Sequence, residues 1–505
     1  MQSAIGGAEA RGSRWKPWSD RDARVRVLDA QLDGGKNLRK EVEVALRVER
    51  AALLTEMGRG QEAQSDHLRV VELEPSHLVN LCGLGKLLAS AGRLKAAQMV
   101  YAEAVRYYPD DIVSRINLGA VLLEREENAL AREQYEAALR IDPEFPQAHG
   151  GMYYALARLG EAEAAQVHQR KAFGQKCLFK NPYRGSSTPI PLLLLVSSTG
   201  GGTPIEKLLD DCIFETHVLV ADFYDQQTPL PPHRLVVNGI GDVEVAEKAL
   251  DAAEKLLQMT TAPVLNLPAA VRATGRCENA VRLARIPGMV TPATARFDYA
   301  MLTGEDGPVA LAASGFKFPL LLRTPGCHMG RDFIMAERPE ELNAAMAELP
   351  GAGKPGAEVL AIEYLDARGA DGLSRKYRVM MVGGQLYPLH LAISPQWKIH
   401  YFSADMADNA DHRAEELRFL TDMPGALGAR AMNALAEVQA TLGLDYAGID
   451  FGLNHDGEIL LFEANSTMVV EQPVADERWD YRRAAVERIH TAVRKMLLSS
   501  AVPPG

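Results

Sequence analysis

Two acids and a carboxamide near the carboxyl end carry the clearest chemistry in this 505-residue sequence. Asp445 to Leu453 and Glu458 to Ser466 are β-rich segments on either side of the turn Asn454-His455-Asp456-Gly457, a pattern that predicts an antiparallel hairpin. Glu463 and Asn465 stand two apart, so both emerge on one face of their strand, and Asp450 on the facing strand can join them. Two carboxylates and a carboxamide oxygen at one point are hard ligands, suited to Mg²⁺ together with nucleotide phosphates and water. The alternative is that Asp450 and Glu463 are separately satisfied at strand ends, although a buried acid without a partner is costly.

Elements upstream must position that hairpin. Gly174 to Pro191 is polar, aperiodic and rich in Gly, Pro and Ser, which predicts a linker over 175–190. Leu192 to Val196 is an aliphatic run suited to a strand buried on both faces. Strand-like segments follow at His217 to Ala221, Leu235 to Asn238 and Val264 to Asn266, with a helix over 243–258, so 191–275 reads as an α/β layer with parallel strands. The turn Ser197-Ser198-Thr199-Gly200-Gly201-Gly202-Thr203 could aim backbone N–H groups at an anion. It lacks the GK[ST] ending of a Walker loop and the spacing of a dinucleotide fingerprint, so a tight connection is its other reading.

The pattern G-x-D-F, hairpin, L-x-E-x-N resembles the metal-binding end of the ATP-grasp superfamily, in particular the branch with D-alanine-D-alanine ligase and the ribosomal-protein glutamate ligases. Val359 to Leu365 is similar to the family's hinge strand, Tyr377 to Leu386 to its R-V-x-x-V-G-G strand pair, and Phe318 to Gly330 to its phosphate strand and glycine-rich flap. The resemblance implies a nucleotide- and metal-binding domain over 276–500 behind a substrate-side domain over 191–275. It also implies ATP and Mg²⁺ as cofactors: ATP phosphorylates a carboxylate, and an amine or another nucleophile displaces the phosphate. Carried over residue by residue, it implies metal ligation by Asp450, Glu463 and Asn465, nucleotide contacts from Arg276, Arg323, Glu363, Tyr364 and Leu365, and catalytic roles for Arg378 and His390.

Departures from the family pattern are specific. Arg323 holds a place usually taken by lysine, and Arg276 stands for a second, earlier lysine. Arginine keeps the charge and can fork two phosphate oxygens, but its bulk and geometry differ from an ammonium. Tyr377 replaces an acid, and His390 stands where many ligases have an arginine. The segment Pro388 to Tyr401 carries Trp397, Lys398, His400 and Tyr401, which reads as a substrate-gripping element or as a packed surface insertion, and Arg375 and Lys376 divide the same way. Cys327 beside His328 is not expected to be a nucleophile pair.

The first third repeats. Pro75, Pro109 and Pro143 stand 34 residues apart, and Leu84-Gly85, Ala97, Tyr101 and Ala104 recur at the same interval as Leu118-Gly119, Ala131, Tyr135 and Ala138. Four units fall near 44–77, 78–111, 112–145 and 146–174, after an amino-terminal extension over 1–43. Each reads as two antiparallel helices with glycine and alanine at close approaches and proline as a stop. This resembles the tetratricopeptide repeat, and the outer units depart from it with Arg50-Ala51 and Met152-Tyr153 at the Leu-Gly position. Such a solenoid offers a groove for a peptide or protein partner, or else serves as a brace or dimer surface.

The expected architecture is therefore multidomain: an all-α solenoid, an α/β layer and an α+β nucleotide domain. With 55 basic and 66 acidic residues the net charge is −11, which argues against nucleic acid or an anionic membrane as partner. Five scattered cysteines without a CxxC pair indicate neither a disulfide framework nor a zinc knuckle. No export or spanning segment is read, and a cytoplasmic location is the expectation. Three functions follow: a carboxylate-amine ligase acting on a peptide or protein recruited by the repeats, a nucleotide-binding pseudoenzyme, and a repeat-based adaptor. Homo-oligomerisation is compatible with all three.

Overall fold

The computed structural model describes residues 19–34, 38–326, 333–349, 356–399, 404–474 and 476–501. It divides into two compact units, the first reaching Gln175 and including Gly185–Ser187, the second comprising Lys176–Arg184 and the chain from Thr188 onward.

The first unit is helical: α1 (Ser19–Gly34), α2 (Lys40–Glu56), α3 (Gly60–Leu73), α4 (Leu78–Ser90), α5 (Leu94–Tyr107), α6 (Ile112–Glu124), α7 (Asn128–Ile141), α8 (Pro146–Leu159) and α9 (Ala162–Phe173). From α2 onward they pack as successive pairs joined by short turns. A residue of left-handed backbone recurs in each turn at the 34-residue interval: Gly58 (φ 74°), Gly92 (71°), Glu126 (65°) and Gly160 (82°). Three of these are glycine, which adopts that region without strain, and Glu126 is the exception. Pro75, Pro109 and Pro143 each follow the end of a helix by two residues, as expected of a stop. Gly85 makes room for a ring: a Cβ there would lie 2.7 Å from Tyr101, and one on Gly119 would lie 2.7 Å from Tyr135. Tyr135 is also approached from the following pair, where a Cβ on Gly151 of α8 would lie 2.1 Å from its ring. The segment read as an extension holds α1, whose Val25 and Leu28 are fully buried, with Val25 packed against Leu54 and Ala63 of the first pair.

Among its described residues the second unit holds three sheets. The first comprises β1 (Leu178–Lys180), β2 (Ile190–Val196), β3 (Phe214–Val220), β4 (Leu235–Asn238) and β5 (Val264–Leu265), in the order β1-β3-β2-β4-β5. Strands β2 to β5 are parallel, as read from the sequence, whereas β1 pairs antiparallel with β3. The segment expected to be a linker thus supplies an edge strand, three residues long and too short to show a period. The leucines of β2 alternate between two apolar clusters, Leu193 and Leu195 in one and Leu192 and Leu194 in the other. Helix Val243–Leu257 closes the first cluster, and helix Arg483–Ala501 closes the second through Val486, Ile489 and Val493. Residues 191–275 therefore share both clusters with the carboxyl-terminal part, and the boundary expected at 275/276 has no counterpart in the packing.

Strand β6 (Met289–Val290) precedes a four-stranded antiparallel sheet of β7 (Thr294–Asp298), β8 (Leu320–Arg323), β9 (Ile334–Ala336) and β10 (Glu358–Glu363), ordered β7-β10-β8-β9 over its own core. The third sheet is β12-β11-β13-β14-β6, built from β11 (Ser374–Val382), β12 (Gln385–Ser394), β13 (Tyr446–Leu453) and β14 (Ile459–Asn465), antiparallel except for β6. The hairpin predicted from Asp445 to Ser466 is β13 and β14. Gly383 and Gly384 join β11 to β12 with φ of 55° and 80°, the two left-handed residues a tight hairpin needs. No described helix is long and apolar enough to cross a membrane.

Candidate functional site

A row of polar residues crosses the third sheet in register. His390 of β12 faces Arg378 of β11, Arg378 faces Asp450 of β13, and Asp450 faces Glu463 of β14. Register partners share a face, so the row is fixed by pairing alone. The pairing slips beside Arg378 on one side and beside Asp450 on the other. Such irregularities re-aim side chains and occur often beside active sites.

Alternation along β11 sorts its charges. Arg378 and Lys376 lie on the face of the row: Arg378 donates to Asp450 through Nε at 2.5 Å and Nη2 at 2.7 Å, and Lys376 Nζ lies 3.4 Å from the same carboxylate. Tyr377 lies on the other face, stacked on Phe451, so it is a core residue. Arg375, also on that face, is held by Asp371 and Glu415 and takes no part in the row.

Asp450 is buried, its side chain 5% exposed. Burial alone would raise its pKa; Arg378 and Lys376 outweigh burial and hold it well below the usual carboxylate range. Glu463 follows the same logic, since burial opposes ionisation and Arg276 and Arg323 restore it. Arg276 opens helix Arg276–Leu283 and donates Nη2 to Glu463 at 2.7 Å. Arg323, at the end of β8, is 2% exposed and stacks its guanidinium on Phe333 with 5.0 Å to the ring centroid, where Arg276 also lies at 5.6 Å. His390 is buried, and burial with Arg378 nearby pushes its pKa well down, so its imidazole is neutral at pH 7.

Of these groups Glu463, Arg276 and Arg323 line a cleft, together with Ile362, Asn465 and Glu244, whereas Asp450, Arg378, Lys376 and His390 are not part of its lining. Its enclosed part measures about 50 Å³, against roughly 300 to 1,000 Å³ for a typical small-molecule pocket. The loop after β4 and the first turn of helix Val243–Leu257 form one wall through Gly241 and Glu244. Asp242 caps the following helix by accepting the Glu244 N–H, and Glu244 in turn accepts the Gly326 N–H at 3.0 Å.

Of the expected metal ligands, Asp450 and Glu463 come together as facing residues, and their oxygens are the donor type Mg²⁺ takes alongside phosphates. Asn465 fits less directly. Its Nδ2 donates to Glu463 at 3.0 Å, and its oxygen accepts from the N–H and hydroxyl of Thr467. Of the expected nucleotide contacts, Arg276 and Arg323 line the cleft, whereas Glu363, Tyr364 and Leu365 do not; their neighbour Ile362 does. Glu363 accepts the Ala293 N–H, and Tyr364 meets Trp397 edge-on at 6.1 Å. Lys398 donates to the Phe333 carbonyl. Residues 327–330 of the expected flap, with Cys327 and His328, and His400 and Tyr401 lie outside the described residues.

The glycine-rich turn after β2 does not line the cleft. Ser198 is buried on Asp222, Thr203 donates to the Gly239 carbonyl, and Gly201 accepts the Gly241 N–H, so these residues act as a tight connection. Sequence reasoning missed Glu244 and Phe333. A signal for the first was present in Asn238-Gly239-Ile240-Gly241-Asp242, a strand end running into a helix cap.

No family model matches the chain, and no curated protein matches it. Among solved structures, MamA from Desulfovibrio magneticus RS-1 is 21% identical over 30% of this chain and 84% of its own, with a TM-score of 0.28. A tetratricopeptide repeat protein from Parabacteroides merdae is 13% identical over 31% of this chain and 60% of its own, with a TM-score of 0.30. The chain itself consists of a helical repeat region resembling a tetratricopeptide solenoid, followed by mixed α/β sheets.

Proposed function

We propose that the second unit is an ATP-dependent ligase that activates a carboxylate as an acyl phosphate and transfers it to an amine, with the helical repeats engaging a protein or peptide partner. One observation carries the reading: two facing carboxylates are each held by cations, Asp450 by Arg378 and Lys376 and Glu463 by Arg276, and Glu463 opens with Arg276 and Arg323 onto a cleft. Arg276 and Arg323 are placed to hold phosphate oxygens, and Arg323, already buried, needs no further desolvation to do so. In this reading Arg378, once released from Asp450, would offset charge on the transferred phosphoryl group or the acyl oxygen. His390 beside it, whose cation burial and Arg378 disfavour, is a poor proton acceptor and takes no proton-transfer step in this reading. Asp450 and Glu463 would hold Mg²⁺, which supplies charge neutralisation between phosphates.

Release of ADP that requires both a carboxylate and an amine tests the proposal. A second reading, a nucleotide-binding protein without turnover, is favoured by the arginine partners that already occupy both carboxylates. Binding of Mg-ATP with no ADP release under any carboxylate and amine would select it. Absence of nucleotide binding would leave the repeats as the working part, an adaptor.

A further inference from the structure

The order in which this site fills follows from its charges, given the nucleotide reading above. Both carboxylates are spoken for: Arg378 grips Asp450 through two hydrogen bonds, Lys376 lies 3.4 Å from it, and Arg276 and the Asn465 amide both donate to Glu463. A divalent cation arriving alone would bring its charge beside Arg378 and Lys376, and would have to displace a bidentate guanidinium to reach Asp450. A polyphosphate meets the opposite situation. It brings negative charge and offers each guanidinium a fork-shaped partner equivalent to the carboxylate it leaves.

We infer that the site admits the polyphosphate before the divalent cation, Arg276 and Arg378 passing from Glu463 and Asp450 to phosphate oxygens and so exposing the two carboxylates to the metal. The two arginines are thereby positioning residues for the metal, acting through the ligands they release. Exchange of this kind couples the two ligands: each raises the affinity of the other by the same factor.

The test is calorimetric and uses the full chain, with Mn²⁺ in place of Mg²⁺ so that its paramagnetism gives a second readout. Three titrations are made: ADP in the presence of EDTA, MnCl₂ alone, and MnCl₂ after saturation with ADP. The expected result is ADP binding without metal, no saturable Mn²⁺ binding alone below about 1 mM, and a gain in Mn²⁺ affinity of at least about tenfold with ADP. Arg378→Gln and Arg276→Gln should each bind Mn²⁺ without ADP and bind ADP more weakly. Stoichiometric Mn²⁺ binding to the unliganded wild-type chain, abolished by Asp450→Asn, would overturn the order while leaving the nucleotide reading standing. Absence of ADP binding with and without metal would overturn the nucleotide reading itself.

Discussion

Arg378 and Asp450 face each other across β11 and β13 and are joined by two parallel hydrogen bonds of 2.5 and 2.7 Å. Removing the guanidinium leaves a carboxylate 5% exposed, with Lys376 at 3.4 Å as its remaining ion-pair partner among the described residues. Loss of one partner from a buried pair costs about 3 to 5 kcal/mol, and Lys376 holds the cost to the lower end. Arg378→Gln is expected to destabilise the second unit by about 3 kcal/mol, read as a lower urea midpoint. An unchanged midpoint would mean that the pair is solvated and contributes little.

The buried histidine gives a pH dependence of definite sign. His390 has its pKa well below the ordinary value of about 6.5 because burial and Arg378 disfavour the cation. Below that ordinary value the unfolded chain takes up a proton that the folded chain refuses. The stability is thus fully present above about pH 6.5 and declines as pH falls toward the folded pKa, by up to about 1.4 kcal/mol per unit for this group. The melting temperature should drop between pH 7.5 and 5.5, and His390→Asn should flatten that slope. A slope identical in the variant would assign the effect to other groups.

In the solenoid two substitutions should act in opposite directions. Gly85→Ala places a Cβ 2.7 Å from the Tyr101 ring and should cost about 1 to 3 kcal/mol as overpacking. Glu126→Gly relieves a left-handed residue at φ 65° and should stabilise by about 0.5 kcal/mol, since the steric relief exceeds the entropy lost to glycine. Amide exchange in α4 to α7 reads both, slower in one and faster in the other. Protection unaffected by Gly85→Ala would refute the close ring contact.

Arg323 separates charge from structure. Arg323→Lys should keep ADP affinity within about tenfold of wild type, because a cation remains beside the cleft, whereas Arg323→Met should lose more than about tenfold. Equal affinity in the methionine variant would remove Arg323 from the site.

The site was legible where strand arithmetic applies. Period-two alternation put Asp450, Glu463 and Asn465 on one face, and pairing then delivered Arg378 and His390 to the same row. The repeat was legible because Pro75, Pro109 and Pro143 keep a fixed phase. Other features left no local trace. Strand β1 is three residues long, α1 has no clear apolar stripe, and Phe333 meets Arg276 and Arg323 only through the tertiary fold. The hydrogen bonds of Asn465 to Thr467 depend on a rotamer that sequence spacing does not fix. The shared core leaves no local trace either, since Leu192 and Val486 are joined only by folding.

The central claim is a polyphosphate site built on the row from Arg378 to Glu463, and titration of Mg-ATP into the full chain tests it most directly. Saturable one-to-one binding is expected, weakened by at least about tenfold in Glu463→Ala, with ADP released only when a carboxylate and an amine are both present. Heat changes indistinguishable from dilution, or binding that Glu463→Ala leaves untouched, would contradict it.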